Sequence, residues 1–383
     1  MARALYIHWP FCARKCPYCD FNSHVRESVD HAAWQAALIA DMRHEAQIAD
    51  REPLQSVFFG GGTPSLMPPA LVAALLAEAE RWWGFAPDVE ITLEANPSSV
   101  EAARFEGLAA AGVNRVSLGL QALEDSALKF LGRLHNSAEA LAALKLAHKR
   151  FNLVNADLIY ARPGQTPADW HDELSRALDL GTGHLSLYQL TIEPGTRFAT
   201  DVRLGAFAPL EDDPAADLFA LTRELTAAAG LPAYEISNHA RPGEESRHNL
   251  AYWRYQDYVG IGPGAHGRRR GSATVRHKKP ENWLAAVAER GHGIAEERSL
   301  AAREQASEAL LMGLRLAEGV DLARLSERLA VPAEELVDPA RLQFHISLGL
   351  VRQAGTRVFV TDAGMPLLDA LLGELVPAEL VAA

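Results

Sequence analysis

From residue 4 to residue 190 the chain alternates short β-type runs with longer stretches of helical spacing. Six runs read as strands: ALYIH (4–8), SVFFG (56–60), VEITLE (89–94), RVSLGL (115–120), LVNADLIY (153–160) and HLSLYQL (184–190). Between them the apolar positions recur at helical intervals, as in PALVAALLAEAERWW (69–83). Strands alternating with helices predict an α/β fold with a parallel sheet, and six such units predict a partial (β/α)6 barrel over residues 1–210. Chemistry in parallel β/α folds gathers at the C-terminal ends of the strands, so the residues just after each run carry the functional signal.

Beyond residue 210 the regular alternation is lost. Residues 211–297 read as an α+β extension packed on the barrel, with the aromatic and glycine-rich stretch RHNLAYWRYQDYVGIGPGAHG (247–267) at its centre. Residues 298–383 read as a separate unit of amphipathic helices, a β-hairpin and a last helix, an order that predicts a winged-helix-like domain. Its hairpin carries only Arg352 and Arg357 and its helices are acidic, so packing or partner docking is expected of it rather than DNA binding. No fixed-period repeat or low-complexity tract interrupts the pattern.

Composition narrows the class. The 383 residues are 48% hydrophobic and 22% charged, as expected of a globular protein. No run approaches the length of a membrane span, and MARALYIHWP lacks the apolar core and cleavage site of a secretory signal, so the expected compartment is the cytoplasm. A formal charge of -12 argues against general nucleic-acid affinity. GRRRG (267–271) and RHKKP (276–280) are local exceptions that suit an anion site or, more commonly, a solvated loop.

All three cysteines, Cys12, Cys16 and Cys19, fall within HWPFCARKCPYCDF (8–21). An odd number crowded into one loop is not a disulfide framework. Structural zinc closes a tetrahedron with four Cys or His ligands, and although His8 and His24 lie nearby, C-x3-C-x2-C is not the paired C-x2-C spacing of zinc knuckles. Thiolates that bind a [4Fe-4S] cluster fit better: three of them leave one iron open to a small molecule. Buried structural cysteines are the bland alternative. Glycines in FFGGGTPS (58–65) permit close approach immediately after a strand, and Glu94, Gln121 and Asp157 stand as isolated polar groups at successive strand ends. Together these polar groups suit a ligand carrying hydroxyls and an ammonium.

C-x3-C-x2-C with Tyr18 before the last cysteine resembles the signature of the radical S-adenosylmethionine (SAM) superfamily, in which SAM chelates the open iron and is cleaved by an electron from the cluster. Over nearly its whole length the chain resembles the coproporphyrinogen-dehydrogenase-like branch, through YIHWPFCxxKCxYC, GGGTPS, LEANP, GLQ, DLIYARPGQT and LYQLTIEPGTRF. The resemblance implies that Cys12, Cys16 and Cys19 hold the cluster. It also implies that Gly61, Gly62 and Thr63 hold the SAM amino group and that Tyr6, Tyr18, Glu94, Gln121, Arg133 and Asp157 contact SAM. GIGPGAHG (260–267) contains Pro263 and lacks the strand-turn-helix context of a dinucleotide site; by the resemblance it would lie against the adenosyl end of SAM.

Two members of the branch differ in the residues after the third cysteine. The oxygen-independent coproporphyrinogen III dehydrogenase continues with a further cysteine, where this chain has Asp20-Phe21, and it has an N-terminal extension ahead of the first strand. The haem chaperones end the motif in CDF and carry HNxxYW, which corresponds here to His248-Asn249-Leu250-Ala251-Tyr252-Trp253. An imidazole such as His248 is a common axial ligand of haem iron, Tyr252 and Trp253 offer flat apolar surface, and Arg247, Arg268 or the basic run to Lys279 suits propionates; a hydrogen-bonded structural histidine is the alternative. Cys16-Pro17 also looks like a thiolate haem-binding dipeptide, but the cluster already claims that sulfur.

The expectation is a haem carrier with a SAM-ligated cluster and no assigned catalytic residue. Its implied partners are haem-accepting apoproteins and a flavodoxin- or ferredoxin-type reductant, with peripheral membrane association and a homodimer left open. The rival expectations are coproporphyrinogen decarboxylation and a cluster-sensing winged-helix regulator.

Overall fold

The computed structural model describes residues 2–377 and Leu380; the last few positions of the C-terminal unit lie outside the described residues. Six strands form the predicted parallel series: β1 (Ala2–Trp9), β2 (Leu54–Gly61), β3 (Phe85–Ala95), β4 (Arg115–Gln121), β5 (Leu153–Tyr160) and β6 (His184–Gln189). Helices α1 (His31–Ile48), α2 (Pro69–Trp83), α3 (Ser137–Arg150) and α4 (Pro167–Leu178) cover the sheet. Local chemistry sets their starts. Asn136 and Glu139 close a capping box on α3, Thr166 and Asp169 close another on α4, and Pro69 and Pro167 occupy first-turn positions where no backbone donor is needed.

The period of two divides each strand between two environments. Leu5, Ile7, Val57, Phe59, Leu93, Val116, Leu118, Val154, Leu158, Leu185 and Leu187 point outward into one core shared with Trp34, Leu38, Met42 and Trp170 of the helices. The alternate positions, among them Thr92, Glu94, Ser117, Asn155, Asp157, Ser186 and Tyr188, face the hollow interior.

The middle region does more than pack on the barrel. Strand β7 (Asn238–Ala240) adds antiparallel to β6, beyond α5 (Asp212–Ala228), and helix α6 (Arg247–Trp253) carries the HNLAYW motif. Strand β8 (Asp257–Ile261) then pairs in parallel with β1, giving the sheet a seventh parallel member, and β9 (His266–Arg269), β10 (Ser272–Arg276) and β11 (Ile294–Ser299) extend that edge antiparallel. The full order is β11-β10-β9-β8-β1-β2-β3-β4-β5-β6-β7.

Helix α7 (Pro280–Arg290) brings Trp283 onto Trp34 of α1, rings 5.2 Å apart and nearly parallel. The basic stretches divide: Arg270, Lys278 and Lys279 are exposed, whereas Arg268, Arg269 and Arg276 are buried in strands. Arg276, fully buried, bonds Asp41 and Glu45 at 2.8 Å each, Arg269 bonds Glu45 at 2.5 Å, and Arg268 lies 3.5 Å over the Tyr255 ring. These arginines weld the β9–β10 edge to α1, and removing one partner from such a buried pair leaves an uncompensated charge.

The C-terminal unit has its own core, built around Leu310, Leu314, Leu336, Val358 and Leu375. Helices α8 (Ala302–Gly313), α9 (Leu322–Leu329), α10 (Pro339–Ser347) and α11 (Leu368–Leu375) flank a small sheet in which β14 (Arg357–Val360) lies between β12 (Val320–Asp321) and β13 (Val351–Ala354). That is a winged-helix arrangement. The hairpin was legible; the two-residue β12 was too short to read. No helix among the described residues is long and apolar enough to cross a membrane.

Candidate cluster and SAM site

The cysteine loop hangs from the C-terminal end of β1. Phe11–Cys12 pairs with His24–Val25, so the loop closes on its own base. Asn22 anchors it: its amide donates to Pro263 O and Lys278 O at 2.9 Å, and its backbone carbonyl accepts from His8 Nε2 at 2.9 Å. Because a carbonyl only accepts, His8 carries its proton on Nε2, and Nδ1 accepts from the Tyr6 hydroxyl at 2.9 Å.

The three thiols are half-buried. Thr63 Oγ1 donates to Cys12 Sγ and Arg133 Nη1 to Cys16 Sγ, each at 3.4 Å. Burial pushes the Cys12 and Cys19 thiols up. Among the described residues no three Cys, His, Asp or Glu side chains gather as a single metal ion requires. In a cubane each cysteine binds a different iron.

Beside the thiols opens a cavity of about 1050 Å³ lined by Cys12, Cys16, Cys19 and Tyr18, and by Gly61, Gly62, Thr63, Glu94, Gln121, Arg133 and Asp157. Eleven of the thirteen residues singled out from the sequence thus share one space. The glycines also meet a packing requirement. A Cβ on Gly61 would lie 2.5 Å from the His8 ring, and one on Gly62 would lie 2.7 Å from Phe11 O, so they let the end of β2 close onto β1 and the loop base. The N–H groups of Gly61, Gly62 and Thr63 are taken by Glu94 Oε2, Trp9 O and Phe11 O. What this loop offers an ammonium is carbonyl oxygen.

Glu94 is held up at about 8, first by burial, then by the charge of Asp157, with the Gly61 N–H bond at 3.2 Å opposing. Asp157 is raised to about 6 by burial, although Ser117 and Asn155 donate to it at 3.1 and 2.7 Å. Two enclosed carboxyls short of positive charge suit a cationic ligand: an ammonium or sulfonium beside them would restore their ionised form. Arg133 Nη2 donates to Gly119 O at 3.1 Å and to Asn96 Oδ1, and its Nε has no partner. Gln121 ends β4 at a φ of 68°, a left-handed conformation that turns its side chain into the cavity. The residues present therefore fit a cluster beside a polar cationic ligand.

Sequence reasoning missed Asn96, Thr92, Ser117, Asn155, Ser186 and Tyr188, which also line the cavity. The period-two polar positions in ITLEAN, RVSLGL, NADLIY and HLSLY were their signal. GIGPGAHG does not line the cavity; a Cβ on Gly264 would meet the Asn22 amide at 2.5 Å, so the stretch braces the cysteine loop from outside.

Tyr6 and His248 stand apart from this lining. The His248 ring lies on Phe58, 4.7 Å between centroids, and 6.0 Å from Tyr6, enclosed at the barrel floor. Burial lowers it to about 4, and Nδ1 has no partner. Its helix is pinned by buried Glu90, which accepts from Arg247 N at 2.9 Å, His248 N at 3.3 Å and Arg115 Nη1 at 3.0 Å. Arg247 is paired with Asp88 at 2.7 Å. Neither Arg247 nor the buried Arg268 is free for a propionate.

The radical SAM superfamily model matches residues 6–177, and the HemN C-terminal domain model matches residues 300–367. The heme chaperone HemW of Escherichia coli is 37% identical over 388 residues, covering 98% of each chain. This chain belongs to the radical SAM superfamily, in the branch that contains HemW. The HemW of Haemophilus influenzae is likewise 37% identical, over 96% of each chain. A mitochondrial radical S-adenosyl methionine domain-containing protein 1 from Bos taurus is 39% identical over 83% of this chain and 74% of its own. Among solved structures, coproporphyrinogen III oxidase (HemN) from Escherichia coli superposes with a TM-score of 0.80 at 24% identity, over 97% of this chain and 89% of that one, and so shares the fold. Membership of the superfamily implies a [4Fe-4S] cluster and SAM.

Proposed function

We propose that this protein is a haem chaperone that binds haem and a SAM-ligated [4Fe-4S] cluster and passes haem to acceptor proteins. The observation that carries the reading is the end-to-end similarity to proteins named heme chaperone HemW, joined to Phe21 at the position where the dehydrogenase has a further cysteine. Cys12, Cys16 and Cys19 hold the cluster in this reading, which supplies one-electron chemistry and an open iron for SAM. Glu94 and Asp157 receive the cationic part of SAM, Arg133 braces Cys16 and Tyr18, and Gln121 and the carbonyls of Gly61 and Gly62 orient the ligand.

His248 is the candidate axial ligand of haem. Its ring is neutral at pH 7, the form that binds iron, and its Nδ1 is unpartnered. Because that ring is enclosed, ligation requires haem to reach the barrel floor or helix α6 to yield. The partners are haem-accepting apoproteins and a flavodoxin- or ferredoxin-type reductant. The cytoplasm is the proposed compartment, and homodimerisation and contact with a membrane surface belong to the same proposal.

Titration of anaerobically purified protein with haemin tests the reading. A shifted Soret band in wild type that is weakened in His248→Ala is the expected result. A spectrum indistinguishable from free haemin in both proteins rejects it, and conversion of coproporphyrinogen III to protoporphyrinogen IX with turnover would favour the dehydrogenase activity instead.

A further inference from the structure

The cavity mouth carries large apolar side chains where a loop surface would ordinarily be polar. Phe21 is 59% exposed, Val100 66% and Leu134 65%, and all three line the same cavity. They come from different parts of the barrel: the cysteine loop after β1, the short helix after β3 (Ser99–Ala102), and the segment after β4. A single exposed apolar residue needs no explanation, but several converging on one cavity mouth mark a binding surface. Arg14 and Lys15 stand exposed on the same mouth, and neither makes an ion pair among the described residues. Most other arginines of this chain are engaged, as Arg269, Arg276 and Arg247 show.

We infer that this mouth is the docking seat for haem: a planar apolar macrocycle resting on Phe21, Val100 and Leu134, with its two carboxylates held by Arg14 and Lys15. Resting on the carrier reading above, the inference adds an outer place for haem to the His248 ligation of that reading. It also separates the place where the macrocycle docks from His248, which lies at the closed end of the barrel. The occupant is chosen by chemistry. A flat apolar ring matches apolar side chains set around an opening, and a dianion matches two unpaired cations, which bind carboxylates with charge-assisted hydrogen bonds. Acidic Asp20, Glu193 and Asp369 also line the cavity, and Arg14 and Lys15 are the exposed cations among its lining residues.

Metal-free protoporphyrin IX is the decisive probe, because it has the ring and the carboxylates but no iron to ligate. Fluorescence titration of the full-length, cluster-containing protein should show saturable binding. Phe21→Ser combined with Leu134→Ser should weaken it at least about tenfold, since two large apolar contacts are lost. Arg14→Gln with Lys15→Gln should weaken it several-fold and flatten its salt dependence. The substituted side chains are exposed, so far-UV circular dichroism and iron content should match wild type. If wild type binds and the Phe21/Leu134 variant binds equally well, the seat lies elsewhere and the carrier reading stands. If wild type binds neither protoporphyrin nor haemin, the carrier reading itself fails.

Discussion

Replacing Glu94 with glutamine isolates the electrostatic cost of a polar barrel interior. Glu94 sits near 4.5 in an unfolded chain and at about 8 in the fold, because burial and the charge of Asp157 disfavour its carboxylate. Asp157, Tyr6, Tyr188 and the Gly61 N–H are the groups that face it. A carboxyl whose pKa rises on folding contributes stability that is complete below the unfolded value and is lost as pH climbs through the folded value. At pH 7 the shift corresponds to about 3 kcal/mol of destabilisation, which water in the open cavity reduces to about 1–2 kcal/mol. Glutamine keeps the shape and an acceptor for Gly61 N–H but cannot ionise. In SAM-free protein, Glu94→Gln and wild type should therefore be equally stable near pH 4, while by pH 8 the variant should melt a few degrees higher, about 2–4 °C. Thermal melts followed by circular dichroism between pH 4 and pH 8.5 give the two curves. Parallel curves would refute the claim that Glu94 is enclosed and short of positive charge.

The same carboxyls predict proton release on ligand binding: at pH 7 Glu94 and Asp157 together hold about one proton in SAM-free protein, so calorimetric titration with SAM in buffers of different ionisation enthalpy should report about one proton released. A heat independent of buffer would contradict that. Glu90→Gln should cost about 3 kcal/mol in denaturant unfolding, because buried Arg115 loses its counter-charge and the N-terminus of α6 keeps only a neutral acceptor; a loss below about 1 kcal/mol would show the pin to be unimportant. Gly62→Ala should lower iron and sulfide per chain with little change in circular dichroism, since its Cβ would press on the Phe11 backbone next to Cys12.

Much of the barrel was legible because period-two patterning is a local property. RVSLGL and NADLIY show one apolar and one polar face, and the apolar face did bury under helices. The pattern could not say that the polar face lines a hollow interior instead of meeting solvent, since both demand polar side chains. Cluster cysteines declare themselves through spacing, and strand-end acids through isolation. Long-range pairing is harder to read. Strand β8 is five residues long, runs into the glycine-containing turn after Ile261, and pairs with a strand more than 250 positions earlier, so nothing nearby announces it. Arg269 of GRRRG and Arg276 of RHKKP looked like surface charge because their partners, Asp41 and Glu45, lie on a helix near the other end of the chain. His248 was found through its motif, but its enclosure under Phe58 and Tyr6 depends on where α6 docks.

The central claim is carriage of haem to an acceptor, and a transfer experiment tests it most directly. Anaerobically purified protein is loaded with one equivalent of haem, freed of excess, and mixed with a haem-free acceptor while the Soret region is recorded. Growth of the acceptor's own band, at a rate that depends on both proteins and is faster than from free haemin in the same buffer, is the predicted result. Haem that never binds, or that stays on this protein in the presence of a competent acceptor, would contradict the account.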